Sequence, residues 1–203
     1  VSHPNGEITD DDVQRVLEAS KTVATPVNYE ILHVIPRAFI VDNGNPVKDP
    51  GSMTGVRLEA DTLIIHGSSG HIRNVARIVH RTGANVDGLV LNVLAASEVV
   101  TDDRARDIGC MVVYIGGSST TLVVIESGDV IHTASIPIGS EHITADVSIG
   151  LRTSIDIAQK VKMHCGAITQ KGMTKKDVLD LFEFGASDHE EIARRYVSQI
   201  IEA

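Results

Sequence analysis

The sequence predicts an α/β fold, and three stretches carry that prediction. From Val56 to His66 the residues alternate, with Val56, Leu58, Ala60, Thr62 and Ile64 on one face and Arg57, Glu59 and Asp61 on the other. Period two with one charged side is the pattern of a strand between a core and water. After Gly67-Ser68-Ser69-Gly70 the period becomes helical: Ile72, Val75, Ala76 and Val79 form one stripe, which Gly83 stops. Between Cys110 and Pro137, three apolar runs are separated by Gly116-Gly117-Ser118-Ser119 and by Ser127-Gly128-Asp129, which reads as three strands joined by two tight turns.

The remaining elements follow in order. Thr9 with Asp12 is a capping pair, and Val13, Val16, Leu17 and Ser20 share one face of the helix it opens. Extended segments are expected from Tyr29 to Ile35 and from Arg37 to Val41, then a turn over Asp42-Asn43-Gly44-Asn45-Pro46, whose Asn-Gly and Asn-Pro pairs forbid helix. One helix on a small antiparallel sheet thus makes a two-layer unit ending near His66. Val86 to Asn92 reads as a buried strand, and Ala95 to Ile108 as a helix ended by Gly109. Strand, helix and strand in that order imply a parallel crossover. Ile143, Val147, Ile149 and Leu151 belong to a helix beginning near Ser140; Thr153 with Asp156 caps another that runs to Cys165 and stops at Gly166. Two further pairs, Thr174 with Asp177 and Ser187 with Glu190, predict the last helices, and the Ile192, Tyr196, Ile200 stripe is expected to find no later element to cover it.

Composition narrows the function classes. The 203 residues suffice for a substantial core, which must be built from Val, Ile, Leu and Ala because there is no Trp and aromatics are 3%. A formal charge of −9 argues against a nucleic-acid partner and against an anionic membrane held by charge alone. Cys110 and Cys165 are far apart, so neither a metal knuckle nor a disulfide framework is indicated, and reduced thiols are expected. No apolar run reaches membrane-spanning length, and no signal peptide is visible. The histidines, from His3 to His189, include no pair at a metal-ligating helical spacing. Lys171, Lys175 and Lys176, like Arg194 and Arg195, have no interleaved aromatics and read as solvated surface.

The glycine turn is the candidate for chemistry. Gly116 and Gly117 leave their amides open to close approach, so an anionic oxygen can sit against them; the alternative on spacing alone is a plain hairpin. Val113-Tyr114-Ile115-Gly116-Gly117-Ser118-Ser119-Thr120-Thr121 resembles the second phosphate loop of the actin and chaperone ATPase superfamily, Asp-Ile-Gly-Gly-Gly-Thr-Thr-Asp. Glu30 to Pro36, Gly55 to Ala60, His132 to Gly139 and Gly150-Leu151-Arg152-Thr153 resemble, in the same order, blocks of the FtsA family of bacterial cell-division proteins.

That resemblance implies actin-like ATPase lobes of ribonuclease-H-like α/β build with an inserted small α+β interaction subdomain, in an incomplete chain. Residues 1–66 would be the inserted subdomain, called 1C, residues 67–109 the end of the first lobe, and residues 110–203 the start of the second. It implies a division scaffold that binds ATP with Mg²⁺ and links FtsZ polymers to the membrane, with FtsZ, other protomers in a filament and further division proteins as partners, the last through the 1C-like region. The implied location is cytoplasmic, at the inner face of the membrane at the division site. The family's first phosphate loop, the later Gly-Gly stretch over adenine and the amphipathic membrane tail are missing from these residues, so weak or no ATP binding is expected of them alone.

Carried over residue by residue, Gly116, Gly117, Ser118, Ser119 and Thr120 would hold phosphates, and Gln159 with Lys162 would match the Glu-x-x-Lys that meets ribose and adenine. Gln159 and Lys162 share one helix face, where the plain alternative is solvated surface. The departures matter. Tyr114 stands where the family has the Asp that holds Mg²⁺ through water, and a phenol, protonated at neutral pH, cannot replace a carboxylate there. At most a weak ATPase is expected; an active ATPase of the superfamily and a pseudo-nucleotide module acting through the region before His66 are the alternatives.

Overall fold

The computed structural model describes residues 1–2, 6–23, 25–174 and 176–203, so His3 and Lys175 lie outside the described residues. The chain divides into two units. The first comprises Val1–Val113 with Leu122–Ala134, the second Tyr114–Thr121 with Ser135–Ala203.

In the first unit, α1 (Asp10–Ser20) starts where the sequence places it. The Thr9 N–H and hydroxyl both donate to Asp12 Oδ2, at 3.2 and 3.1 Å, and the Ser2 N–H and hydroxyl donate to Oδ1 at 3.0 and 2.8 Å. Four donors explain how a carboxylate can be buried here. The Ser2 hydroxyl, helped by the Thr9 and Ser2 amides and opposed by burial, holds the Asp12 carboxyl down at about 2.

The two expected extended segments are one strand, β1 (Tyr29–Val41), paired antiparallel with β2 (Leu58–Ser68) from Tyr29 opposite Ser68 to Val41 opposite Leu58. Pro36 does not end β1 because it sits at one of two register irregularities, between Pro36 and Ala38, where a missing N–H costs no ladder bond. The expected core face needs correction. Val56 precedes β2 and is 83% exposed, while Ile65, of the opposite parity, is the buried residue of that strand and joins Phe39, Val41 and Ile8 in the core. β2 meets both α1 and α2 (Ser69–Arg81), so residues of both parities are partly covered. Gly83 follows α2 at φ +87°, the left-handed conformation that stops a helix.

Two expectations fail beyond α2. Residues 86–91 form no strand, and Leu89 and Val90 are exposed. A strand draws its backbone bonds from a neighbour; none of the described residues supplies one, and the Leu91 N–H donates instead to His33 Nε2 at 3.0 Å. The parallel crossover therefore does not form. The single helix expected over 95–108 is two, α3 (Asn92–Val100) and α4 (Asp103–Ile108), because the Asp102 carboxylate accepts the Ala105 N–H at 2.7 Å and caps a new helix. β3 (Cys110–Ile115), β4 (Thr120–Glu126) and β5 (Asp129–Ile136) form a sheet in that order, as expected. Thr121, Val123 and Ile125 are buried at alternate positions, and Val93 of α3 completes a core cluster with Val123 and Ile125.

In the second unit, α5 (Ser140–Leu151) and α6 (Ile155–Cys165) supply Val147, Leu151, Ala158 and Val161 to a core closed by Leu179, Leu181 and Val197. The cap of α6 is Ser154, one residue beyond the Thr153 reading, its hydroxyl accepting the Ile157 N–H at 3.4 Å. The Thr174–Asp177 pair makes its bond, Thr174 N–H to Asp177 Oδ2 at 2.6 Å, yet no helix follows. The chain forms β6 (Val178–Asp180), a 3₁₀ turn over Leu181–Phe184 and β7 (Glu191–Ala193), which pairs antiparallel with β6. Leu179 is buried from β6 and Leu181 from the first position of the 3₁₀ turn, so the chain here reaches the core through a strand and a turn and not through an α-helix. The Ser187–Glu190 pair starts no helix either, because the Glu190 N–H donates to Asp180 Oδ1 at 3.1 Å. The expected Ile192, Tyr196, Ile200 stripe is divided: Ile192 belongs to β7 and, with Ile200 of the last helix α7 (Arg194–Glu202), packs on the core, Ile200 filling the space beside Gly150 where a Cβ would lie 2.4 Å away, while Tyr196 stays exposed. Among the described residues no helix is long and apolar enough to cross a membrane.

Candidate functional site

The site is built where the β3–β4 turn meets the first turn of α5, within the second unit. The Gly116 N–H donates to Ser119 O at 2.8 Å and closes the turn. The Gly116 and Gly117 carbonyls then accept from the Ser140 and Glu141 amides at 3.0 and 2.8 Å, so two of the four free amides at the start of α5 are satisfied by the loop. This approach requires Gly139. A Cβ there would lie 2.3 Å from Gly117 O and 2.6 Å from Gly116 O, although its φ of −148° and ψ of −171° suit any residue. The Gly139 N–H donates to His142 Nδ1 at 3.1 Å, and the Thr120 hydroxyl donates to Ile138 O at 2.7 Å, which fixes the strand-to-helix corner.

α6 brings the second group. The Lys162 ammonium donates to Ser140 O at 2.9 Å and to Thr144 Oγ1 at 2.7 Å, and the Thr144 hydroxyl donates to Gln159 Oε1 at 2.7 Å. Thr144 is 3% exposed, so this relay ties Gln159 and Lys162 rigidly to the start of α5. Gln159 and Lys162 are thus parts of one network with the start of α5, Lys162 half-buried within it and Gln159 exposed at its edge.

A cleft of about 480 Å³ opens on this corner, lined by Gly117, Ser140, Glu141, Thr144, Asp156 and Gln159. Of the five loop residues singled out in the sequence, Gly117 lines the cleft; Gly116 and Thr120 have their amide and hydroxyl committed to the fold, and Ser118 and Ser119 complete the turn. Among the described residues, no backbone acceptor takes the Gly117 or Ser118 amide, which leaves two donors at the tip. Tyr114 lies on β3, 42% exposed, outside the lining. Five residues of the corner were not foreseen as site residues: Gly139, Ser140, Glu141, Thr144 and Asp156. Only Gly139 carried a local signal, as the glycine between a strand and a helix; the others became visible once α5 and α6 were packed. The larger cavity, about 640 Å³ beside Val99, Val100, Met111 and Val113 in the first unit, offers an apolar wall without a comparable set of converging donors.

Chemically, the corner presents amides to an anion and amide, hydroxyl and carboxylate groups to a hydroxylated or heteroaromatic ligand. Its cleft wall carries two carboxylates, Glu141 and Asp156, while the Lys162 ammonium is turned into the relay.

Comparisons with known proteins agree on one family. Residues 1–66 match the family model of the SHS2 domain inserted in FtsA, and residues 111–200 match that of the cell division protein FtsA. The cell division protein FtsA of Bacillus subtilis is 36% identical over 203 residues, which is 100% of this chain and 46% of that protein. The FtsA of Borreliella burgdorferi is 34% identical over 196 residues, covering 96% of this chain and 48% of the relative. The chain spans about half the length of the curated relatives it matches. Among solved structures, the PilM-PilN type IV pilus biogenesis complex aligns with a TM-score of 0.58 at 13% identity, over 78% of this chain and 46% of the other, a likeness of fold.

Proposed function

Because the chain belongs to the FtsA family of cell-division proteins, we propose that its second unit carries one wall of a nucleotide site and that its role is that of an actin-like division scaffold. The observation that carries the reading is the convergence of the Gly117 tip, the start of α5 and the Gln159–Thr144–Lys162 relay on one cleft. The fit is supported by the loop's shape: the corner depends on Gly139 lacking a Cβ, which would strike the Gly117 and Gly116 carbonyls, while the open side of Gly117 faces only the Glu141 side chain. Gly116, Gly117, Ser118, Ser119 and Thr120 would shape the phosphate end, with the Gly117 and Ser118 amides as donors, and Gln159 and Lys162 the ribose and adenine end. ATP with Mg²⁺ is the proposed ligand, and it would supply the divalent cation that the acid-lined wall calls for.

Nucleotide here is a structural ligand. Tyr114 offers no carboxylate for a hard cation, so at most weak ATP turnover is proposed. In the scaffold, residues 1–66 would contact other division proteins, neighbouring protomers would build a filament, and FtsZ polymers would be linked to the cytoplasmic face of the membrane through family segments beyond these residues. Amide NMR of the chain titrated with Mg²⁺-ATP tests the nucleotide part. Weak binding that moves the Gly117, Ser118, Thr144 and Gln159 signals is expected, and Gly117→Val, whose side chain would occupy the open side of the tip, should weaken it. Absence of any shift at those four residues would leave the pseudo-nucleotide reading, in which residues 1–66 do the work.

A further inference from the structure

We propose that Glu141 sets which phosphate-bearing ligands the cleft accepts, by holding a negative charge over the Gly117 tip. This deepens the nucleotide reading above and rests on it. The Glu141 N–H is bound to Gly117 O at 2.8 Å, which fixes its backbone against the loop, and its exposed side chain lies beside the glycine. A Cβ built on Gly117 would lie 2.8 Å from Glu141 Oε1 and 3.2 Å from its Cδ, so the carboxylate covers the glycine's open side. An oxyanion brought to that side meets a like charge in van der Waals range. Asp156 adds a second carboxylate to the same lining, and no Lys or Arg lines the cleft among the described residues. Lys162 cannot hydrogen-bond an anion in the cleft without giving up its bonds to Ser140 O and Thr144 Oγ1.

Repulsion at this distance, in a cleft open to water, is worth about tenfold in affinity and grows with ligand charge. The cleft therefore rejects free ATP more than free ADP, is indifferent to adenosine in this respect, and admits a triphosphate chiefly when a divalent cation rides on it. Glu141 acts as a charge filter.

The test uses the 203-residue chain and Glu141→Gln, which keeps size and shape. ATP, ADP and adenosine are titrated by amide NMR, each in chelator and in excess Mg²⁺. The expected result is that E141Q binds free ATP about tenfold more tightly than the unaltered chain, free ADP by a smaller factor and adenosine equally, with the ATP gap shrinking in Mg²⁺. Equal ATP affinities in chelator overturn the proposal while leaving the nucleotide site standing. An equal gain for adenosine also overturns it, because the effect would then be one of packing. No binding of any ligand to either protein removes the nucleotide reading and this proposal with it. Should E141Q lower the thermal midpoint, the unaltered chain carries the same test: added salt should tighten free ATP relative to adenosine, and a flat ratio refutes the filter.

Discussion

Replacing Gly139 by alanine tests the corner most directly. Its backbone is extended, so the alanine is conformationally acceptable, and the cost is purely one of space. The new Cβ would lie 2.3 and 2.6 Å from two carbonyl oxygens, Gly117 O and Gly116 O, which belong to backbone and cannot rotate away. Relief requires α5 and the loop to separate by roughly 1 Å, the shortfall from ordinary van der Waals contact. That breaks the Ser140–Gly116 and Glu141–Gly117 bonds, about 1 kcal/mol each, and adds about 1–3 kcal/mol of overpacking strain at a buried position. The expected loss is about 3–5 kcal/mol, which for a chain of this size lowers the thermal midpoint by roughly 10 °C. Circular dichroism melts read the midpoint, and hydrogen exchange reads the Ser140 and Glu141 amides, which should lose protection. A G139A midpoint within about 2 °C of the parent, with both amides still protected, would refute the argument that the missing Cβ builds the corner.

Asp12 gives a pH-dependent prediction. Its carboxyl is held at about 2 by the Ser2 and Thr9 donors, below its ordinary value of 3.8, so its stabilising contribution is complete above pH 4 or so and is lost as pH falls through about 2. Asp12→Asn should flatten that acid limb in melts taken across the range and lower the midpoint at neutral pH; an unchanged acid limb would contradict the assignment. Arg152 ends α5 at φ +51°, ψ +40°, a left-handed conformation unfavourable for a residue with a Cβ. Arg152→Gly should therefore gain up to about 1 kcal/mol in denaturant unfolding, and a clear loss would mean that its side chain makes a compensating contact.

Local chemistry determined a good part of this protein. Thr9 with Asp12, the stop at Gly83, the three strands between Cys110 and Pro137 and the two turns flanking the middle one all came out as read, because each depends on donors, acceptors or apolar runs within a few residues. The family was legible too, since its blocks keep their order along the chain. What the sequence could not decide were elements whose partners lie elsewhere. Residues 86–91 are apolar enough for a strand and form none for want of a neighbour, and the Thr174–Asp177 pair makes its capping bond without a helix because residues 178–180 pair with β7 as a strand, which buries Leu179 in the core. The corner divides the same way. Two glycines with small hydroxyl residues marked the loop, but only the packing of α5 against α6 could bring Thr144 between Gln159 and Lys162 and lay the Glu141 carboxylate over Gly117, since a hydrogen bond across 15 residues of sequence exists only after both helices are in place.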